Sequence, residues 1–298
     1  MLSWNQIQDG ITIFMGIFIG ALPFSLIGVL VSALINKFVK TEWILRVMPK
    51  NRFGRIIFAN LVGFLFPVCE CGNVPVARRL VQKGVPPYAA VTFLLSAPVI
   101  NPVVIFATYV AFKNDLFIFY GRFILTFLIA GLIGLILSLN KDQNSILKPS
   151  FAAGLKSKKS THTHQHANTA VTEARQEFLE MTSVLSLGSL IASIVQIAIP
   201  RTVISALGSA PIGSVLAMTF LAFITSICSN VDSFFALGFV NNFTQSSILA
   251  FLVLGPMLDI KALLMMTTTF KTKAILGISF LILQFTLIFT LYLNLNIS

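Results

Sequence analysis

The sequence predicts an all-α polytopic membrane protein made of two inverted structural repeats, with broken helices and re-entrant-like hairpins. Three observations predict it. The 298 residues are 56% hydrophobic and only 10% charged, with a mean hydropathy of +0.89, which is more apolar surface than a soluble core can hide. The long uncharged runs are separated by loops in which Lys and Arg gather. Finally, two blocks of sequence occur twice. Cys71-Gly72-Asn73-Val74 returns as Cys228-Ser229-Asn230-Val231, 157 residues later, and the block from Phe93 to Asn101 is echoed from Phe251 to Asp259 at an offset of 158. Matched blocks in order and nearly in register indicate a duplicated half. Weak internal symmetry with Gly- and Pro-interrupted apolar segments is the usual pointer to the binding site of a secondary transporter.

The duplication divides the chain into a first membrane repeat at 1–139, a polar cytoplasmic linker at 140–180 and a second membrane repeat at 181–298. Residues 11–35 carry no charge and span by themselves, with a kink expected at Pro23. The polar start lacks the basic region and cleavage site of a signal peptide, so no cleaved segment is expected. Lys37, Lys40, Arg46, Lys50, Arg52 and Arg55 then face the single acid Glu42, which places this loop in the cytoplasm and the N-terminus outside. Residues 56–82 read as one crossing broken at the Cys69 motif. The apolar arms 88–97 and 99–112 flank Pro98-Val99-Ile100-Asn101-Pro102, whose two prolines oppose a straight helix. They form either a re-entrant hairpin or a kinked full span.

Residues 116–139 make the next crossing, with Arg122 expected to snorkel to the interface. The linker is basic and polar, without sustained periodicity until about Thr172 and with the composition of disorder through 157–168. If it is cytoplasmic like 36–55, an even number of crossings separates the two, and reading 88–112 as a hairpin supplies that number. The second half, 181–199, 212–238, a hairpin-like 247–270 and 274–293, then starts from the opposite side and is inverted. The total is about six full spans plus two hairpins, or eight plain spans. Arg201 alone dissents from the charge rule.

The chemistry concentrates at Cys69-Glu70-Cys71-Gly72-Asn73-Val74-Pro75, which sits where a lipid-facing helix has to stop. Irregular backbone at membrane depth survives only where protein covers it or a cavity waters it, so this stretch reads as the wall of a site. Cys69 and Cys71 aim at one point only if the backbone there is unwound, since residues i and i+2 do not share a helix face. Symmetric packing brings Cys228 to the same midplane. Three thiols suit a soft, thiophilic ion; the alternative is that they are small residues allowing close packing. Ionisable side chains at that depth cost about 2.5–3.5 kcal/mol, so Glu70, Asp232 and Asp259 should face a cavity or a partner, and proton or cation coupling is their functional reading. For Asp259 an ion pair with Lys261 is the competing reading. Asn73 matches Asn230 and Asn101 matches Asp259, so these polar positions come in pairs, and together with Cys69, Glu70, Cys71, Cys228 and Asp232 they are the expected substrate-binding residues. His162, His164 and His166 alternate in a pattern able to collect zinc when flexible, or else form a solvated tract.

The run P-x-C-x-C-G-x-x-P-x-A-x-x-L from Pro67 to Leu80, followed by Gly84, Pro86 and the F-L-x-x-x-P-x-x-N-P of Phe93 to Pro102, resembles the bacterial predicted-permease family that includes the ArsP-like organoarsenical efflux permeases. Ser229 to Asp232 and Gly255 to Lys261 look like that family too, and only the linker falls outside the resemblance. It implies a permease of the bacterial plasma membrane. Some relatives export trivalent methylated arsenic, which together with the thiols implies export of a small thiophilic metal, metalloid or organoarsenical species. The expected partners are the lipid bilayer, a small-molecule or ion substrate, and a membrane partner subunit or further copies of the chain. No cofactor and no nucleic acid are expected, the excess of 21 basic over 10 acidic residues being explained by topology. No P-loop, Rossmann fingerprint or serine-nucleophile elbow occurs, so the chain reads neither as an ATP pump on its own nor as an enzyme. The rival reading is a membrane scaffold or assembly subunit that works with a partner and transports nothing itself.

Overall fold

The computed structural model describes residues 4–38, 44, 46–65, 69–140, 142–152, 167–198 and 211–296. Among them the chain is helical without a strand, a single bridge joining Leu147 to Phe270. Five helical segments are long and apolar enough to cross a membrane: Gln8–Ile35, Leu116–Ser138, Phe178–Ile197, Gln245–Met266 and Thr272–Asn296. The first lies within α1 (Trp4–Phe38), which contains Pro23.

The first repeat continues with α2 (Arg52–Val62), α3 (Glu70–Gln82), α4 (Pro87–Ser96), α5 (Pro102–Ala111) and α6 (Leu116–Ser138). α2 and α4 run side by side in one direction. Ile56 near the start of α2 and Thr92 of α4 meet at Gly134 of α6, while at the far end of α2 a Cβ on Gly63 would lie 2.8 Å from the Cα of Ala97. α3 returns the other way and turns into α4 through Gly84, whose φ of 89° favours glycine. α2 and α3 therefore enter and leave at the same end of the molecule, as a hairpin. α4 and α5 hold ten residues each, about 15 Å of helix against a hydrocarbon core of about 30 Å. Joined across the turn at 97–101, they make one broken crossing. At its far end Tyr109 packs edge-on against Phe119 of α6, centroids 5.8 Å apart.

Of the two readings of 88–112, the kinked full span is the one seen, and the hairpin is instead 56–82, which was expected as one broken crossing. The even number of crossings before the linker survives, because the two segments trade places in the count.

The second repeat, α7 (Ala167–Ala198), α8 (Pro211–Thr225), α9 (Asp232–Leu237), α10 (Gln245–Met257), α11 (Ile260–Met266) and α12 (Thr272–Asn296), repeats the plan upside down. Its hairpin, α8 and α9, opens at the other end, where the hydroxyls of Ser214 and Thr244 lie 3.4 Å apart and Gln245 donates to Asp115 at 2.8 Å. α10 and α11, broken at Leu258 and Asp259, then cross toward the end where the linker docks. Beside the five segments above, the broken α4–α5 pair makes a sixth candidate crossing among the described residues, with two hairpins between. The fully buried α4 and the mostly buried α10 pack at the centre. Ile19, Tyr120, Phe280 and Tyr292 are exposed on α1, α6 and α12, as expected of lipid-facing helices.

Two stretches differ from the expected linker. Residues 142–152 are tied down: Ile146, Leu147 and Phe151 are buried, and Lys148 N donates to Thr269 O while Lys271 N donates to Ile146 O, both at 2.9 Å. The helix of the second repeat also begins earlier than 181, at Ala167. Apolar anchors, invisible in the average polarity of 140–180, account for the first difference. Arg78 of α3 joins this end, bonded to Glu180 at 2.9 Å and stacked 5.3 Å from the Phe151 ring.

Candidate functional site

The two hairpins point at each other from opposite ends, and their tips carry the polar residues. The Cys69 motif is not unwound as expected. The break precedes it, and Cys69 is the extended N-cap residue of α3, with Glu70 to Pro75 in its first turns. Proline is tolerated near a helix start because the first N–H groups have no partner within the helix. α3 enters the core by close approach to α1, where a Cβ on Gly28 would fall within 2.8 Å of three backbone atoms of Gly72. In the second hairpin the matching fragment is placed differently. Cys228 to Val231 form the loop before α9, so the two C-x-N-V fragments are alike in sequence but not in backbone.

Cys69, Glu70 and Cys228 bring one sulfur, one carboxylate oxygen and one sulfur within 4.8 Å of one another. Cys69 and Glu70 are buried and Cys228 is partly so; all three cysteines are free thiols. The Cys71 thiol is fully buried but lies outside this group, one helical step along, where it adjoins Cys69. Glu70 Oε2 accepts from Ser229 Oγ at 3.4 Å and from the Cys228 thiol at 3.9 Å. Its Oε1 lies 3.5 Å from Lys261 Nζ, which stands at the same distance from Asp259 Oδ2. Neither of these oxygens has a hydrogen-bond partner among the described residues.

Asp259 and Asn101 fulfil the pairing read from the repeat. Each is the N-cap after the break in its crossing: Asn101 Oδ1 accepts from Val104 N at 2.9 Å and Asp259 Oδ1 from Ala262 N at 2.6 Å. The break thus exposes a helix N-terminus in each half, and the cap satisfies part of it. Asn73 is fully buried with neither side-chain atom hydrogen-bonded among the described residues. Asn230 is half-buried in the loop before α9.

Asp232 belongs to a second cluster. Arg122 donates to it through both terminal nitrogens, at 3.0 and 2.6 Å, and reaches Ser233 Oγ at 2.6 Å and Thr108 Oγ1 at 2.9 Å. Arg122 therefore does not snorkel; it is completely buried. A guanidinium six residues into an apolar helix needs a bidentate carboxylate more than it needs water, and Asp232 supplies it. Lys261 was expected as a partner for Asp259 and as the end of the family-like block from Gly255, not as a site residue, and Arg122, Ser229, Ser233 and Thr108 were not read as part of any site. Arg122 inside the apolar run 116–139 and Asp232 within the expected span 212–238 were the available signal. His162, His164, His166, Pro67 and Arg201 lie outside the described residues.

Candidate crossings around two opposed hairpins, with buried charges at the hairpin tips, define a multi-pass membrane protein with a polar centre. The chain belongs to the ArsP_1 predicted permease family, whose model matches residues 6–295. It is 43% identical to UPF0718 protein YcgR of Bacillus subtilis over 262 residues, 88% of this chain and 89% of that one. It is 37% identical over 272 residues, covering 91% of this chain and 90% of the other, to a Streptococcus mutans protein named "Putative two-component membrane permease complex subunit". A shorter likeness, 27% over 99 residues, covers 33% of this chain and 28% of UPF0718 protein YraQ of Escherichia coli. No solved structure matches.

Proposed function

We propose that the chain is a secondary permease that exports a small thiophilic metal, metalloid or organoarsenical species through a midplane site where the hairpin tips meet. The observation that carries this reading is the group of Cys69, Glu70 and Cys228, drawn from both repeats, with its ligand atoms within 4.8 Å. Thiolates prefer soft cargo, and a site shared by two inverted repeats is where rocking of one against the other alternates access. Glu70 and Asp259, which share Lys261 as their counter-charge, are the groups for proton or cation coupling. Asn73, whose amide has no hydrogen bond among the described residues, is a further cargo contact. Asn101, Asn230 and Asp232 belong to the surrounding framework that holds the tips. The basic end, with Lys50, Arg78, Lys148 and Lys271, is cytoplasmic.

The test is uptake of a trivalent organoarsenical or a soft metal ion into everted vesicles, with and without Cys69→Ser and Cys228→Ser. Thiol-dependent uptake supports the reading; uptake that ignores the thiols removes the cargo chemistry while leaving a permease. The second reading, a subunit that works only within a complex, is favoured by the name of the Streptococcus mutans relative. Purified chain reconstituted alone and found inactive, but active with a co-purifying membrane partner, would support it.

A further inference from the structure

The site already contains a cation of its own. Lys261 Nζ stands 3.5 Å from both Glu70 Oε1 and Asp259 Oδ2, and its side chain is 2% exposed. It reaches them from α11, whose first turn is held against α7, where a Cβ on Gly188 would lie 3.2 Å from the Lys261 Cα. Both facing oxygens lack a hydrogen bond among the described residues. At 3.5 Å the ammonium balances both carboxylates from further off than the roughly 2.7–2.9 Å of a charge-assisted hydrogen bond, which leaves the carboxylate oxygens able to take a second ligand. In their ordinary charge states two carboxylates face one ammonium, so the cluster beside the two thiols carries one net negative charge.

We infer that Lys261 is the specificity-determining residue of this site: its fixed positive charge admits soft species that are neutral or singly charged and turns away dications. The inference rests on the cargo site proposed above. The physical reason is that repulsion between a fixed charge and a bound ion grows in proportion to the ion's charge. Without Lys261 the same thiols and carboxylates are a good site for a soft dication. With it, a dication meets a like charge that cannot leave, because among the described residues Lys261 pairs with no carboxylate beyond the two it already faces.

The experiment uses the purified full-length protein in detergent and two probes, Ag+ and Cd2+. Lys261→Met should raise Ag+ affinity by about tenfold and Cd2+ affinity by about a hundredfold, the logarithm of the change doubling with the charge. Asp259→Asn, which keeps the helix cap, should lower both affinities by the same two factors. The double variant Lys261→Met/Asp259→Asn, with the net charge restored, should return to near the wild-type values. A gain that is equal for the two ions, or no gain at all, overturns the role of Lys261. Where Lys261→Met cannot be recovered folded, an unchanged Cd2+ affinity in Asp259→Asn overturns it equally. Cys69→Ser/Cys228→Ser distinguishes the other failure: if Ag+ binding survives that variant unchanged, the thiol site itself is wrong, whatever Lys261 does.

Discussion

Arg122 and Asp232, one from each repeat, meet in a two-pronged ion pair with both side chains almost wholly buried. Glu70 and Lys261 form the reciprocal pair, the acid now from the first repeat and the base from the second. In each case the acid opens the helix at a hairpin tip, where a negative charge is favoured by the helix dipole. The geometry differs between the two. Asp232 and Arg122 share two short bonds, whereas Glu70 and Lys261 stand 3.5 Å apart without one, which separates a structural clasp from a site still able to take a ligand.

Removing one partner of the clasp leaves a buried charge unmatched, so Arg122→Met and Asp232→Leu should each destabilise the protein by about 3–5 kcal/mol. The double variant should lose less than either single one, since it buries no charge. Thermal unfolding of the four proteins in one detergent measures this. A double variant as unstable as the sum of the singles would show that the pair is not coupled.

The sequence made the class of fold and the paired breaks legible, because they depend on period, charge and proline placement, which are local. It placed Asn101 and Asp259 as equivalents, and both cap the helix after a break. It misplaced the hairpin, since 56–82 and 87–111 are both apolar segments interrupted once, and only long-range packing such as Gly63 on Ala97 decides which one turns back. Arg122 was misread for a related reason: a basic residue near a helix end serves equally for snorkelling or burial, and the partner that decides lies 110 residues away. The C-x-N-V echo was real as sequence but misleading as backbone, helix in one copy and loop in the other.

Because Cys69 and Cys228 share the ligand group with Glu70 and Cys71 does not, the three thiols should not be equal. Cys69→Ser and Cys228→Ser should each cost transport of a thiophilic cargo more than the roughly tenfold to hundredfold typical of losing a supporting partner. Cys71→Ser should cost less than either. Initial rates in everted vesicles, normalised to protein abundance, give the order; Cys71→Ser as the most damaging of the three would move the site one helical step along α3.

The two caps predict a difference between structure and function. Asn101→Ala removes the acceptor for Val104 N and should lower stability by about 0.5–2 kcal/mol, while Asn101→Asp keeps that acceptor but loses the amide's donations to Ala97 O and Pro98 O and buries a carboxylate against those carbonyls, so it should be no more stable than the Ala variant. Asp259→Asn also keeps its cap, so its melting temperature should change little although it removes a charge beside Lys261. A large loss of stability in Asp259→Asn would mean that the Lys261 ion pair, rather than the cap, holds the start of α11.

The exchanged roles of the hairpin and the broken crossing lead to an accessibility test. In a background with Cys69, Cys71 and Cys228 replaced by Ser, single cysteines are introduced at Lys50, Lys83, Asn114 and Asn242. Lys50 precedes α2 and Lys83 follows α3, so a hairpin puts both on one face of the membrane, whereas a broken crossing puts them on opposite faces. Asn114 precedes α6 and Asn242 precedes α10, the two helices whose starts are joined by the bond from Gln245 to Asp115, so these two also share a face. On the proposed topology the first face, rich in Lys and Arg, is the cytoplasmic one. An impermeant thiol reagent added to intact cells should therefore label positions 114 and 242 and spare 50 and 83, with the pattern reversed in everted vesicles. Labelling of 50 and 83 from opposite sides would restore 56–82 as a crossing. That outcome would also separate the tips on which the Cys69, Glu70 and Cys228 group depends, since α3 could not then start at the same depth as the loop before α9.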